Sequence, residues 1–144
     1  MKIVETGDFK ELVPVFEGAG LEMRHEGDCP STLITCWKAY DEKDNPAGGI
    51  TIENRKGYHI IGDIAVKEER RHEDIATEMA KVAMARLKEM GVKDIYLVAK
   101  APEFFETLGF FYLTPEETPE IFNCKRCEQR GVDCFPEFMK FEDR

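Results

Sequence analysis

Residues 58–90, YHIIGDIAVKEERRHEDIATEMAKVAMARLKEM, change their hydrophobic period halfway along, and that change limits what the chain can fold into. Tyr58, Ile60, Ile61, Ile64 and Val66 are the β-branched and aromatic residues of a half-buried strand. From there the spacing lengthens: Ile75, Met79, Ala80, Ala83, Leu87 and Met90 recur three and four apart on one helix face, with Glu78, Lys81, Lys88 and Glu89 off it. Gly91 supplies the left-handed stop expected just past a helix. Between the two elements, residues 67–74 are almost wholly charged. A strand that feeds a helix through such a turn aims backbone N–H groups at whatever lies there, which makes an anion site.

The rest of the chain arranges itself around that unit. Lys2, Ile3 and Val4 read as a short first strand. Asp8 is placed to cap a helix with Phe9, Leu12, Val13 and Phe16 on one face, and Pro14 should kink it because its ring removes an N–H. Residues 21–30 are polar and irregular. Strands are expected over 32–40 and 48–53, with a turn over 41–46 between them and a hairpin turn over 54–57 leading into strand 58–66. The middle is therefore an antiparallel meander. The helix should cross back to lay Ile95, Tyr96, Leu97 and Val98 beside the last of these strands, and such a crossover leaves the two parallel. A short helix over 104–108, a strand over 110–113, a proline-bearing loop over 114–119 and a strand over 135–141 complete the chain. The expected fold class is α/β: one domain over 1–144, with a mixed, mostly antiparallel sheet, helices on both sides and a cysteine-containing segment at 119–144.

Composition matters here for what it excludes. At 144 residues and 42% hydrophobic content, the chain can bury a core as one domain. A net charge of −9 is the wrong sign for a sequence-independent hold on nucleic acid, and it disfavours anionic membranes. No apolar run approaches the roughly 18 residues of a spanning helix, and no basic-then-apolar leader opens the chain. Five cysteines, an odd number, without such a leader point to reduced thiols in the cytoplasm rather than a disulfide framework.

Two segments carry a family likeness. Arg71-His72-Glu73-Asp74-Ile75-Ala76 follows a strand ending in Val66 and opens the helix; Pro102-Glu103-Phe104-Phe105-Glu106-Thr107-Leu108-Gly109-Phe110 follows at a set distance. Together they resemble the acetyl-CoA-binding core of the GCN5-related N-acetyltransferases, over roughly residues 58–113. The first resembles the family's Arg/Gln-x-x-Gly-x-Gly/Ala turn, with Asp74 in place of the first glycine. The second resembles its Phe-Tyr-x-x-Leu-Gly-Phe helix and strand, with Phe105 in place of the tyrosine. The resemblance implies that Ile64, Ala65 and Val66 pair with the pantetheine arm where their strand splays from its neighbour. It implies that Arg71, His72, Asp74, Ala76 and Thr77 line the pyrophosphate turn and that Phe104 or Phe105 lies along the arm. A carboxylate opening a helix is ordinarily its N-cap, so Asp74 is expected to accept the N–H groups a phosphate would need and to repel the phosphate as well.

Acyl transfer to an amine also needs a proton acceptor. The family's glutamate, six residues before the strand's final valine, is Ile60 here. Asp63, His59 and Glu53 are the nearby substitutes, and Asp63, on the strand near its splay, is the first choice of base. His59 falls on the opposite face from Ile60 and reads as structural. With Phe105 lacking a hydroxyl, Tyr96 and Tyr112 are the candidate donors to the leaving thiolate, and Cys36 is a nucleophile without an assigned base. Cys124, Cys127 and Cys134 form a CxxC-x6-C pattern, a half-site for zinc that lacks a local fourth ligand, so reduced thiols bracing a loop are the stronger expectation. That tail, with Pro119 to Asn123 before it, is also similar to short amino-acid N-acetyltransferases of the N-acetylglutamate synthase type, which implies a small-molecule amine or amino acid as acceptor. An acidic amino acid would want a basic pocket, for which Arg24, Arg55 and Lys56 are the candidates. The expected activity is acetyl transfer from acetyl-CoA, with a homodimer as the candidate assembly; the alternative is a non-catalytic binding or sensing module, with its C-terminal cysteines as candidate metal ligands.

Overall fold

Alternation of apolar residues and turn chemistry build the sheet first. A computed structural model describes residues 2–18, 32–67, 74–99, 101–121 and 137–143. Strand β1 (Lys2–Glu5) pairs antiparallel with β2 (Leu33–Tyr40), β2 with β3 (Pro46–Arg55), and β3 with β4 (Tyr58–Val66). The turn from β3 into β4 is tighter than residues 54–57: Lys56 at φ 54° and Gly57 at φ 90° make a two-residue turn. Positive φ at both central positions matches the right-handed twist of the flanking strands.

After Gly18 the chain next described begins at Thr32, so the irregular stretch 21–30 lies outside the described residues. Ahead of it, Pro14 does more than kink a helix. A 3₁₀ turn (Phe9–Glu11), capped by Asp8 through the Lys10 N–H at 3.1 Å, ends at Leu12, and α1 (Val13–Gly18) starts afresh. Pro14 thus sits in a first turn, where its missing N–H has no partner to lose. Helix α2 (Ile75–Glu89) buries Ile75, Met79, Ala80, Ala83 and Leu87. Met90, on the same face by spacing, is 45% exposed, because the helix has ended and the chain turns through Gly91 at φ 83°.

Strand β5 (Asp94–Ala99) lies parallel to β4, as the crossover requires. Helix α3 (Pro102–Glu106) follows, then β6 (Phe111–Tyr112), which is shorter than the 110–113 expected because Phe110 turns into the core. A 3₁₀ turn (Pro115–Glu117) closed by a Thr114–Glu117 capping box precedes β7 (Glu137–Glu142). The sheet order is β1-β2-β3-β4-β5-β7-β6, with β4–β5 the parallel pair.

The two helical layers cover opposite faces. Under α2 lie Trp37, Ala39, Ile50, Ile52, Ile61, Val66, Ile95 and Leu97. The 3₁₀ turn and α1 pack Phe9, Leu12, Val13 and Phe16 on Cys36 and Ala65. Adjacent glycines in β3 permit both approaches: a Cβ on Gly48 would stand 3.0 Å from the Met79 side chain of α2, and one on Gly49 would stand 2.7 Å from Leu12. Cys36, with no exposed surface, is part of this packing and cannot act as a nucleophile on a substrate. Among the described residues, no helix is long and apolar enough to cross a membrane.

Candidate active site

The site begins with an irregularity in β4. Opposite β3, Ile50 pairs with Ile64 and Ile52 with Ile61, so Thr51 alone faces both Gly62 and Asp63. This is a β-bulge, which breaks the alternation and re-aims the side chains beside it. The Asp63 N–H donates to the Thr51 Oγ1 at 2.9 Å, which holds the bulge.

The same strand leaves its other neighbour. Among the described residues, β4 and β5 pair at His59–Ile95 and Ile60–Tyr96, and beyond Ile60 the ladder to β5 stops. From residue 61 the two parallel strands diverge, and β4 presents backbone polar groups to the gap. Such groups call for partners, and an extended ligand running along the strand can supply them. The wedge opens toward the N-terminus of α2.

At that N-terminus the structure departs from expectation. Asp74 is not a cap: it sits at φ 58°, ψ 18°, and its side chain makes no capping hydrogen bond. A capping residue needs an extended backbone to swing its carboxylate over the first turn, and the left-handed conformation points it elsewhere. Its carbonyl still begins the helix, accepting from Glu78 N–H at 3.1 Å. The left-handed backbone also explains why glycine suits this position, and Asp is among the few other residues that tolerate it. Ala76 and Thr77 lie in the first turn of α2. Arg71 and His72 lie outside the described residues.

On the face of β4 away from α2, a polar cluster sits between two apolar patches. One patch is the Cys36–Ala65 packing under α1, and the other joins Ile60, Ile121 and Phe138. Glu53 pairs across β3–β4 with Ile60, the position to which the family resemblance assigns a glutamate, so a carboxylate is present on the neighbouring strand. Glu53 is 2% exposed. It accepts from Thr32 Oγ1 at 2.5 Å, from Arg55 Nε at 3.3 Å and from Arg55 Nη2 at 3.2 Å. Arg55 Nη1 also donates to the Ile121 carbonyl at 3.0 Å. Gly62 makes room for this: a Cβ there would fall 1.8 Å from Glu53 Oε2. Burial pushes the Asp63 carboxyl above the usual range, the Glu53 charge adds to that, and Arg55 opposes it.

The remaining candidates separate by position. Phe105 is buried, edge-on to Phe104 at 5.0 Å and to Phe110 at 5.7 Å, whereas Phe104 is partly exposed. Tyr112, two strands beyond β5, donates to Glu106 at 2.7 Å, and that bond and the surrounding carboxylates push it up to about 12. The Tyr96 ring stands edge-on to Tyr58 at 5.4 Å and lines a cleft with His59 and Lys93 at the end of β4 opposite the divergence. Tyr96 is nonetheless in register with Ile60, the last rung before the two strands part. Lys56 is committed to the Glu120 carbonyl at 3.3 Å, and Arg24 lies outside the described residues. Cys124, Cys127 and Cys134 lie outside them too; among the described residues no three His, Cys, Asp or Glu side chains gather as metal ligands.

Residues 8–110 match the acetyltransferase (GNAT) family. Among solved structures, an acetyltransferase of the GNAT family from Staphylococcus aureus Mu50 superposes with a TM-score of 0.74 at 16% identity over 99% of each chain. N-acetylglutamate synthase from Neisseria gonorrhoeae, solved with coenzyme A and N-acetyl-glutamate, gives a TM-score of 0.69 at 14% identity over 99% of this chain and 35% of that one. A proposed streptothricin acetyltransferase from Bacillus anthracis str. Ames, solved with acetyl coenzyme A, gives 0.60 at 17% identity over 84% and 68%. At such identities these likenesses are of fold. No curated protein matches the chain in sequence.

Proposed function

This chain belongs to the acetyltransferase (GNAT) family, and from that premise we propose that it is an N-acetyltransferase, moving an acetyl group from acetyl-CoA to the amine of a small molecule or amino acid. The observation that carries this reading is the departure of β4 from β5 past Ile60. The residues at hand fit the cofactor: the wedge offers backbone polar groups, and the Asp74 carboxylate does not bond the first-turn N–H groups of α2. Bound there, acetyl-CoA supplies a thioester carbonyl for the amine to attack directly.

In this reading Ile64, Ala65 and Val66 hold the extended arm through their backbone. Arg71, His72, Ala76 and Thr77 belong to the turn and helix start that face the pyrophosphate, with Asp74 shaping the turn by its backbone. Phe104 lies along the arm, and Phe105, packed behind it, fixes α3. Asp63 takes the proton from the attacking ammonium. Its raised proton affinity suits that role, because a base works best when its pKa approaches the working pH. No side-chain acid is assigned to the leaving group; a thiol, with an ordinary pKa of about 8.5, needs one less than an alcohol does.

The direct test is thiol release from acetyl-CoA in the presence of a panel of primary amines and amino acids. Amine-dependent release, with the acetylated amine recovered in equal amount, is the expected result. Tight acetyl-CoA binding with no amine-dependent release across the panel would overturn the catalytic reading.

A further inference from the structure

Among the described residues, the basic side chain whose charge acts on the proposed base is already engaged. Arg55 is the guanidinium whose charge acts on Asp63, and its Nε–Nη2 edge, the one that grips a carboxylate with two bonds, is taken from within the protein. Nε and Nη2 bond to Glu53 Oε1 at 3.3 and 3.2 Å, Nη2 reaches Oε2 at 3.2 Å, and Nη1 bonds to the Ile121 carbonyl at 3.0 Å. The Glu53 side chain is 3% exposed, and Thr32 Oγ1 donates to the same Oε1 that Arg55 holds. A substrate carboxylate that took the Nε–Nη2 edge would have to displace a buried carboxylate from its partner, stranding a charge in the interior, and do so beside the Asp63 carboxyl. The bulge and Gly62 enforce the arrangement, since any side chain at 62 would overlap Glu53.

We infer that Glu53 stands where a substrate carboxylate would otherwise bind, so that the acceptor is a cationic amine with no carboxylate next to its reacting nitrogen, and that Glu53 is the residue setting this preference. The inference presupposes acetyl transfer at the same site. The ammonium suits a cluster whose two carboxylates exceed its one guanidinium, and it gives Asp63 the proton to remove. An α-amino acid brings the same ammonium together with a charge the cluster already contains.

The experiment uses matched acceptors that differ in the α-carboxylate alone and have one acetylatable amine each: tyramine against tyrosine, agmatine against arginine. For the wild-type protein, kcat/KM is expected to favour the amine at least tenfold within the best-used pair. Glu53→Gln, which frees part of the Arg55 fork, is expected to reduce that ratio at least tenfold. A wild-type ratio at or below one overturns the inference, and so does an unchanged ratio in a folded Glu53→Gln variant. Should that variant not fold, the wild-type ratio decides. Thermal stabilisation separates the two levels: failure of acetyl-CoA itself to raise Tm sinks the transfer reading, whereas a Tm raised by acetyl-CoA and further by tyrosine but not tyramine sinks this inference alone.

Discussion

At the scale of single residues, the site trades stability for chemistry at Asp63. Its carboxyl holds a proton more tightly in the folded chain than in the unfolded one, so the native state binds the extra proton between the two pKa values. Stability therefore falls as pH rises through that window, and the cost is fully present above the folded value. Asp63→Asn removes the ionisable group; it should raise Tm at neutral pH while lowering kcat by about 10²–10⁴-fold. A lower Tm, or full activity, would contradict the assignment. Glu53 raises the proton affinity of Asp63 through its charge, so in Glu53→Gln the acid limb of the pH–rate profile should move to lower pH; an unmoved limb would disconnect the two carboxylates. Asp74 separates backbone from charge. Asp74→Gly relieves a left-handed conformation and should add roughly 1 kcal/mol of stability. Asp74→Asn keeps that backbone preference and removes the charge. Both should bind acetyl-CoA more tightly if electrostatic repulsion persists, and the glycine variant alone should melt higher.

At the scale of elements, the helix face read from periodicity and the face that is buried differ at one end. Leu87 and Met90 share a stripe by spacing, yet Leu87 has no exposed surface and Met90 is 45% exposed. Leu87→Ala should cost about 2–5 kcal/mol, and Met90→Ala should stay within about 0.5 kcal/mol, both read from urea midpoints. Strands and helices with a strong period, such as β4 and α2, were legible because each residue's partner lies within a turn or a pleat of it. The bulge at residues 62 and 63 was not legible. Nothing in GDI announces that Thr51, eleven residues upstream of Gly62, will face two residues at once. The cap at Asp74 was misread for a related reason: residue type predicts a carboxylate that could cap, and only the path of the chain sets whether its backbone lets it.

At the scale of the whole molecule, the cofactor reading predicts a global effect. Ligand at 100 times its dissociation constant adds about 2.7 kcal/mol to the folded state, or roughly 5–10 °C in Tm for a chain of this size. Millimolar acetyl-CoA should produce a shift of that order, and a flat melting curve would mean that the wedge does not take the cofactor. The amino-acid sequence by itself determined the mixed sheet, the parallel return after α2 and the two motif segments of the family, because period, turn chemistry and short spacings are local properties of a chain. It also brought Asp63, Glu53 and Arg55 to notice as separate polar residues in or beside strands. The tertiary structure decided that Glu53 lies across from Ile60, that Gly62 clears space for its carboxylate, and that Arg55 is spent on Glu53 and Ile121 rather than left for a substrate. Those facts depend on strand register and on a loop 66 residues away in the chain. Side-chain patterns fix which faces are buried, whereas register and long-range contact fix which charges meet.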